Sequence, residues 1–522
     1  GLLLNRQAMA SHTFITGSTG TGKSNAVYHL LDEITKNGQT TFLVVEPAKG
    51  EYKNVFGNCT DVQVFGTNPR ETPLLRMNPF AFPENIHILE HIDRLVEIFN
   101  ACWPMYAAMP AVLKDAIERS YQKVGWDLRN SESEKGIFPT FFDLLDILPG
   151  VIEESHYSKD TQSDYVGALC TRVKSLTNGI YGSVLCAEDA LSDAEMFDQN
   201  VIVDLSRVGS METKSLLMGI LVMKLQEYRM CSSGMNSRLR HVTVLEEAHN
   251  LLRKTSAEQS QEGANLQGKS VEMLANAIAE MRTYGEGFII ADQAPGLLDM
   301  SVIRNTNTKI ILRLPDEEDR KLVGKSAALK EAQIDELSKL PLGVAAVYQN
   351  EWPEAVLCKI EAYPMPENAV YHKPSKMPHE INAEFVFGQL AVGKELEPLS
   401  SSEMEQLKLW LKRHETVLKP EDSRYLERVF AGGELDVAKT RKAVFDFFGG
   451  IGTVVDYCAA AKKSLTPRKE FLEQLQGQYG LKAAAADWVL NSVISMGMSL
   501  NPDAKAVDNL RTNFEQQGGR VL

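Results

Sequence analysis

Gly17-Ser18-Thr19-Gly20-Thr21-Gly22-Lys23-Ser24 fits G-x-x-x-x-G-K-[ST], the spacing of a loop that cradles nucleotide phosphates. The glycines let the backbone fold tightly, so that its N–H groups face an anion. A following helix adds partial positive charge at its N-terminus. Lys23 is placed to reach the β- and γ-phosphates and Ser24 to ligate Mg²⁺, with Asn25 next in the helix. Hydrolysis also needs an acid that holds the metal and a group that orients water. Glu246 and Glu247 supply both at the end of an apolar run, HVTVLEE. Glu246 is expected in the Mg²⁺ shell and Glu247 as the base. A third run, FIIAD, ends at Gln293. Its amide either contacts the γ-phosphate or the water, or caps the next loop.

These groups require strands that end side by side. Residues 12–16 read as a short buried strand running into the loop, and residues 25–36 as the helix leaving it. Further strand-like runs fall at 41–46, 62–65, 201–205, 241–246, 288–292 and 309–314, most separated by helical stretches. That alternation predicts an α/β fold with a mostly parallel sheet covered on both faces. Runs at 343–349 and 355–360 flank Trp352-Pro353 and predict an antiparallel hairpin at the sheet edge. Residues 84–194 carry helical patterns, including 88–99 and 109–123, and no convincing strand. The expected organisation is a first core segment at 1–83, a helical insertion at 84–194, a second core segment at 195–363 and a helical region at 364–522. Helices are expected there at 402–417, 420–430, 436–448 and across 468–496, with the Pro-rich stretch 363–378 as linker.

Composition narrows the class. The 522 residues suffice for two to four domains. Lys plus Arg number 55 against 69 Asp plus Glu, a net charge of −14. This argues against a generally basic surface but leaves room for a local basic stripe on nucleic acid. Seven scattered cysteines without a C-x-x-C pair suit reduced thiols in a cytoplasmic protein. No apolar run approaches the ~18 residues that span a bilayer. The chain starts at Gly1, close to its first strand, and a preceding piece of the natural protein is expected. Residues 250–270 are polar and carry Arg253, Lys254 and Lys269; they read either as a DNA-facing loop or as a solvated one. Arg207 and Lys214 follow another strand in the same way. His87-Ile88-Leu89-Glu90-His91 fits H-x-x-E-H, but no third ligand is evident, and the match is set aside as coincidence.

The ordered set GSTGTGKS, VVEPAKGEYK (44–53), VIVDLSR (201–207), VLEEAHN (244–250), RTYGEGFIIADQAP (282–295) and NTNTKIILR (305–313) resembles the HerA branch of the HerA/FtsK ATPases. The resemblance spans about residues 5–360. It implies a RecA-like core in a homo-hexameric ring that couples Mg-ATP hydrolysis to movement on double-stranded DNA. It carries over to Lys23, Ser24, Glu246, Glu247 and Gln293. Arg282 and Arg313 match arginines that relatives point at a neighbour's nucleotide. Glu46 stands where many relatives carry Asp. The small β-barrel that relatives carry before the loop is not matched, and neither is the C-terminal helical region. The resemblance also implies a partner, a nuclease or a sirtuin-like NAD-consuming effector in antiphage defence. An alternative is a ring scaffold that assembles and switches such an effector without processive movement. A secretion or conjugation pump is a third reading, for which no membrane anchor is visible.

Overall fold

A computed structural model describes residues 2–36, 38–106, 108–133, 136–187, 190–255, 266–365, 369–373, 407–408, 419–430, 436–479, 483–501 and 503–521. It divides into two compact units, Gly1–Pro374 and Ser375–Leu522.

The first unit is built on a nine-stranded sheet. Its strands are β1 (Thr13–Thr16), β2 (Thr41–Glu46), β3 (Val62–Gly66), β6 (Asn200–Asp204), β7 (His241–Glu246), β8 (Glu286–Asp292), β9 (Thr308–Ile311), β10 (Val344–Gln349) and β11 (Val356–Lys359); β4 (Trp126–Asp127) and β5 (Glu132–Ser133) lie outside this sheet. The order is β11-β10-β9-β1-β8-β7-β2-β6-β3. From β3 to β9 every pairing is parallel; β10 and β11 add an antiparallel hairpin. Short β-branched runs form these strands because both sheet faces are covered. Alternation sends Phe14, Leu43 and Val45 into one core, and Ile15, Phe42 and Val44 into the other.

The second of those cores packs α1 (Lys23–Thr35) and α2 (Tyr52–Phe56) against the sheet. Between β3 and β6 run α3 (Ile88–Cys102), α4 (Met109–Lys123), α5 (Phe141–Glu154), α6 (Lys159–Tyr165), α7 (Thr171–Thr177), α8 (Gly179–Leu185) and α9 (Asp193–Phe197). Their buried faces join the first core, together with α10 (Met211–Ser232) and α11 (Leu266–Glu280). One expectation fails here. A two-stranded hairpin, β4 (Trp126–Asp127) with β5 (Glu132–Ser133), interrupts the helices. Two residues per strand leave no alternation to read in a sequence.

The motif set aside has structural work instead. His87 caps α3 through its ring, and His91 is buried against Glu227 at 3.0 Å. The second unit is helical: Pro420–Phe430, Val437–Phe447, Gly450–Ala461, Pro467–Tyr479, Ala483–Leu500 and Ala504–Gln516. Its own core includes Leu426, Phe445, Phe448, Leu490 and Ile494. The helix expected at 402–417 lies outside the described residues, apart from Leu407 and Lys408. Among the described residues, no single helix is long and apolar enough to cross a membrane.

Candidate functional site

Parallel pairing brings the carboxyl ends of the central strands to one edge. Thr16 lies beside Asp292 and Ile311, and Glu246 beside Ala291. Ligands of open α/β sheets bind at this edge. The loop after β1 turns here. Gly20 (φ 77°) and Gly22 (φ 109°) hold left-handed backbone that side chains disfavour. At Gly17 the need is space: a Cβ there would sit 2.7 Å from Leu312 Cβ. The Arg313 carbonyl ties the loop down by accepting the Ser18 N–H at 3.0 Å. Lys23 then opens α1, so the helix N-terminus points into the loop.

Two strand tips, those of β7 and β8, complete the site. The Lys23 ammonium lies 3.9 Å from Glu247 Oε1. The Thr19 hydroxyl donates to Gln293 Oε1 at 2.8 Å, joining the loop to the tip of β8. Glu247 itself sits in left-handed backbone (φ 45°, ψ 50°), with its carbonyl held by the Asn250 N–H and amide at 2.9 and 2.7 Å. A non-glycine residue there costs about 1–3 kcal/mol, the kind of strain found at functional sites. The Glu247 Oε2 atom is buried without a hydrogen-bond partner.

Burial sets the electrostatics. Glu246, at the end of β7, is pushed upward by desolvation; the Tyr52 hydroxyl it accepts from and the charge of Lys23 oppose that rise. Glu46 is raised to about 7, first by desolvation and further by the charges of Asp204 and Glu246. Its carboxylate accepts the N–H groups of Glu51 and Tyr52 at 2.7 and 3.1 Å, which pins the turn into α2. Buried carboxylates that ionise reluctantly gain from a divalent cation nearby. Ser24 and Glu246 offer the hard oxygens that Mg²⁺ takes.

Two groups escaped the sequence reading. His249 donates both its backbone N–H (2.8 Å) and its ring Nδ1 (2.9 Å) to Asp292 Oδ2. This hydrogen bond is the largest cause that raises its pKa. The same Nδ1 stands 3.6 Å from Glu247 Oε2. Both residues lie within the motifs quoted above, yet only the parallel register of β7 and β8 shows that they meet.

The loop, Lys23, Ser24, Asn25, Glu247 and Gln293 line one cleft of about 500 Å³. Asn25 reaches away from the loop: its amide donates to the Glu361 carbonyl at 2.8 Å and accepts the Tyr363 N–H at 2.7 Å. The two arginines part company. Arg313 is exposed just beyond β9, beside its own phosphate loop. Arg282 is exposed in the turn that precedes β8, at the opposite edge of the sheet. Arg253 and Lys254 are exposed on a segment paired with Leu297 and Leu298, and Lys269 is exposed on α11. Residues 256–265 of the expected DNA-facing loop lie outside the described residues. Arg207 is held by Glu71 at 2.6 Å, and Lys214 is half-buried.

Residues 2–293 match the family described as the central domain of helicase HerA. The chain is 26% identical over 370 residues to the DNA double-strand break repair helicase HerA of Sulfolobus acidocaldarius, covering 68% of this chain and 66% of that one. It is 23% identical over 390 residues to a probable helicase of Methanocaldococcus jannaschii, covering 69% and 68%. Among solved structures, VirB4 of Thermoanaerobacter pseudethanolicus superposes with a TM-score of 0.52 at 19% identity, over 68% of this chain and 90% of that one. The plasmid coupling protein TrwB with ADP and Mg²⁺ gives 0.50 at 14%, over 70% and 89%. The phosphate loop, the acid pair at the tip of β7 and this family match together make the chain a P-loop ATPase that belongs to the HerA helicase family.

Proposed function

We propose that the chain is a Mg²⁺-dependent, ATP-driven motor that moves on double-stranded DNA as a homo-hexameric ring. The observation that carries this reading is a divided site. One cleft gathers the phosphate loop, Glu247 and Gln293, whereas Arg282 lies at the opposite edge of the same sheet. An arginine there reaches a phosphoryl group only on an adjacent copy, and a ring provides such neighbours in series. The names of the relatives support DNA as the track, and the TrwB complex supports Mg²⁺ with the nucleotide.

Residue roles follow. The phosphate loop and Lys23 bind the β- and γ-phosphates; Ser24 and Glu246 would hold Mg²⁺, which when bound would neutralise developing charge. Glu247 accepts a proton from water as its oxygen attacks the γ-phosphorus. The bond to the β-phosphate oxygen breaks, and ADP leaves. Gln293, joined to Thr19, senses the γ-phosphate. Arg282 of a neighbouring copy offsets charge on the transferring group, with Arg313 beside the loop in its own chain. Arg253, Lys254 and Lys269 contact DNA phosphates. The family resemblance alone supports a nuclease or NAD-consuming effector as partner.

The test is ATP turnover with and without double-stranded DNA over a range of salt. The motor reading expects stimulation that weakens as salt rises, because counterions compete for the phosphates. It also expects an Arg253→Glu, Lys254→Glu variant to lose the stimulation. A rate indifferent to DNA at every salt concentration favours the scaffold.

A further inference from the structure

The described residues of the Pro-rich stretch expected as a linker are docked. Residues 361–365 and 369–373 lie across α1 and α2 on the rim of the nucleotide cleft. Three asparagines fix them by their main chain. Asn25 holds Glu361 and Tyr363, as described above. Asn54 accepts the Tyr371 N–H at 3.0 Å. Asn58 accepts the His372 N–H at 3.0 Å and donates to the Val370 carbonyl at 2.8 Å. Such amides replace the partners that irregular backbone lacks. The Tyr363 ring packs edge-on against Tyr28 and His29, with centroids at 5.8 and 5.2 Å. This strap places Met365 and Ala369 in the wall of the same cleft that the phosphate loop lines, a wall to which Tyr28 and Asn54 also contribute.

We propose that the strap forms the base-and-sugar subsite of the nucleotide cleft, with Met365 as the platform for the heterocycle. The proposal rests on the phosphate-loop reading and deepens it. The loop handles the phosphates through charge and N–H groups. The remainder of a nucleotide is a flat ring with apolar faces on a sugar. A thioether is soft and polarisable, and it suits contact with an aromatic ring. Met365 is 47% exposed and lines the cleft, so its side chain is available to a ligand there. The asparagine clamps hold the strap before the ligand arrives, which lowers the ordering cost of binding. The three clamping asparagines sit on or next to the helices that flank the phosphates, so loop and strap are built on one frame.

The experiment compares ATP with inorganic tripolyphosphate, each with Mg²⁺, binding to the full chain by calorimetry. Met365→Ala is expected to weaken ATP by about 2- to 10-fold, the range of sulfur–aromatic contacts, and to leave tripolyphosphate unchanged. Met365→Leu is expected to recover most of the loss. Asn58→Ala, which releases one end of the strap, is expected to act on ATP alone. If ATP and tripolyphosphate weaken together, or if ATP binding is unchanged in both Met365→Ala and Asn58→Ala, the subsite is overturned. Lys23→Ala separates the two readings: it must weaken both probes. If it spares both, the phosphate-loop reading itself fails.

Discussion

Glu247 is held in left-handed backbone that most non-glycine residues disfavour, with its carboxylate 3.9 Å from Lys23 and 3.6 Å from the His249 ring. In this conformation one oxygen of Glu247 faces the Lys23 ammonium, and the other has no hydrogen-bond partner. Glu247→Gln keeps the shape and removes the base. It should lower kcat by about 10²- to 10⁴-fold while ATP stays bound, as read by single-turnover kinetics and equilibrium binding; fast turnover would remove Glu247 from the role. His249 makes a separate prediction. Its hydrogen bond to Asp292 raises its folded pKa above the ordinary 6.5. A raised cation contributes stability that is fully present below the unfolded value and is lost as pH rises through the folded value. The melting-temperature gap between the wild type and His249→Asn should therefore be largest near pH 6 and shrink by pH 9. A gap that widens with pH would contradict the pairing.

At the scale of elements, the sheet converts a linear motif into a site. Gly17 illustrates the tolerance. Its missing side chain makes room for Leu312, the residue that follows β9. Gly17→Ala should destabilise the first unit by about 1–3 kcal/mol, the usual cost of overpacking, and weaken ATP binding; a thermal melt and a titration check both. A variant with wild-type melting and affinity would show that β9 does not brace the loop. Much of this was legible in the sequence. Apolar β-branched runs marked every strand of the large sheet, and the G-x-x-x-x-G-K-[ST] spacing marked the loop. Three features were not. Hairpin β4–β5 is too short for periodicity. His249 and Asp292 meet across 43 residues through strand register alone. The strap reads as a linker because it lies in a stretch with prolines at 364, 366, 374 and 378, whereas asparagine side chains on and beside two distant helices dock it. In the last two cases the information lies in the partner segment and not in the segment itself.

For the whole molecule, the charge balance and the divided site point the same way. A chain of net charge −14 does not coat DNA by itself. The proposed ring would sum the exposed Arg253, Lys254 and Lys269 of its copies. Salt dependence of DNA-stimulated turnover should accordingly be steep, and steeper than a single chain's few cations predict; a shallow dependence would argue for contact by one copy only. The proposed ring also decides whether Arg282 has a target. Its turn precedes β8, whereas the phosphate loop follows β1, so one chain keeps them at opposite sheet edges. The most direct measurement isolates assemblies in which Arg282→Ala and Lys23→Ala chains, differently tagged and co-expressed, sit together. Each variant alone should lose ATP turnover, by about 10³- to 10⁵-fold for a trans-acting arginine. Mixed assemblies should regain part of the wild-type rate, because an intact Arg282 then faces an intact Lys23 site across one interface. Mixed assemblies as inactive as either variant alone, at every ratio, would contradict completion of the site by a neighbouring copy.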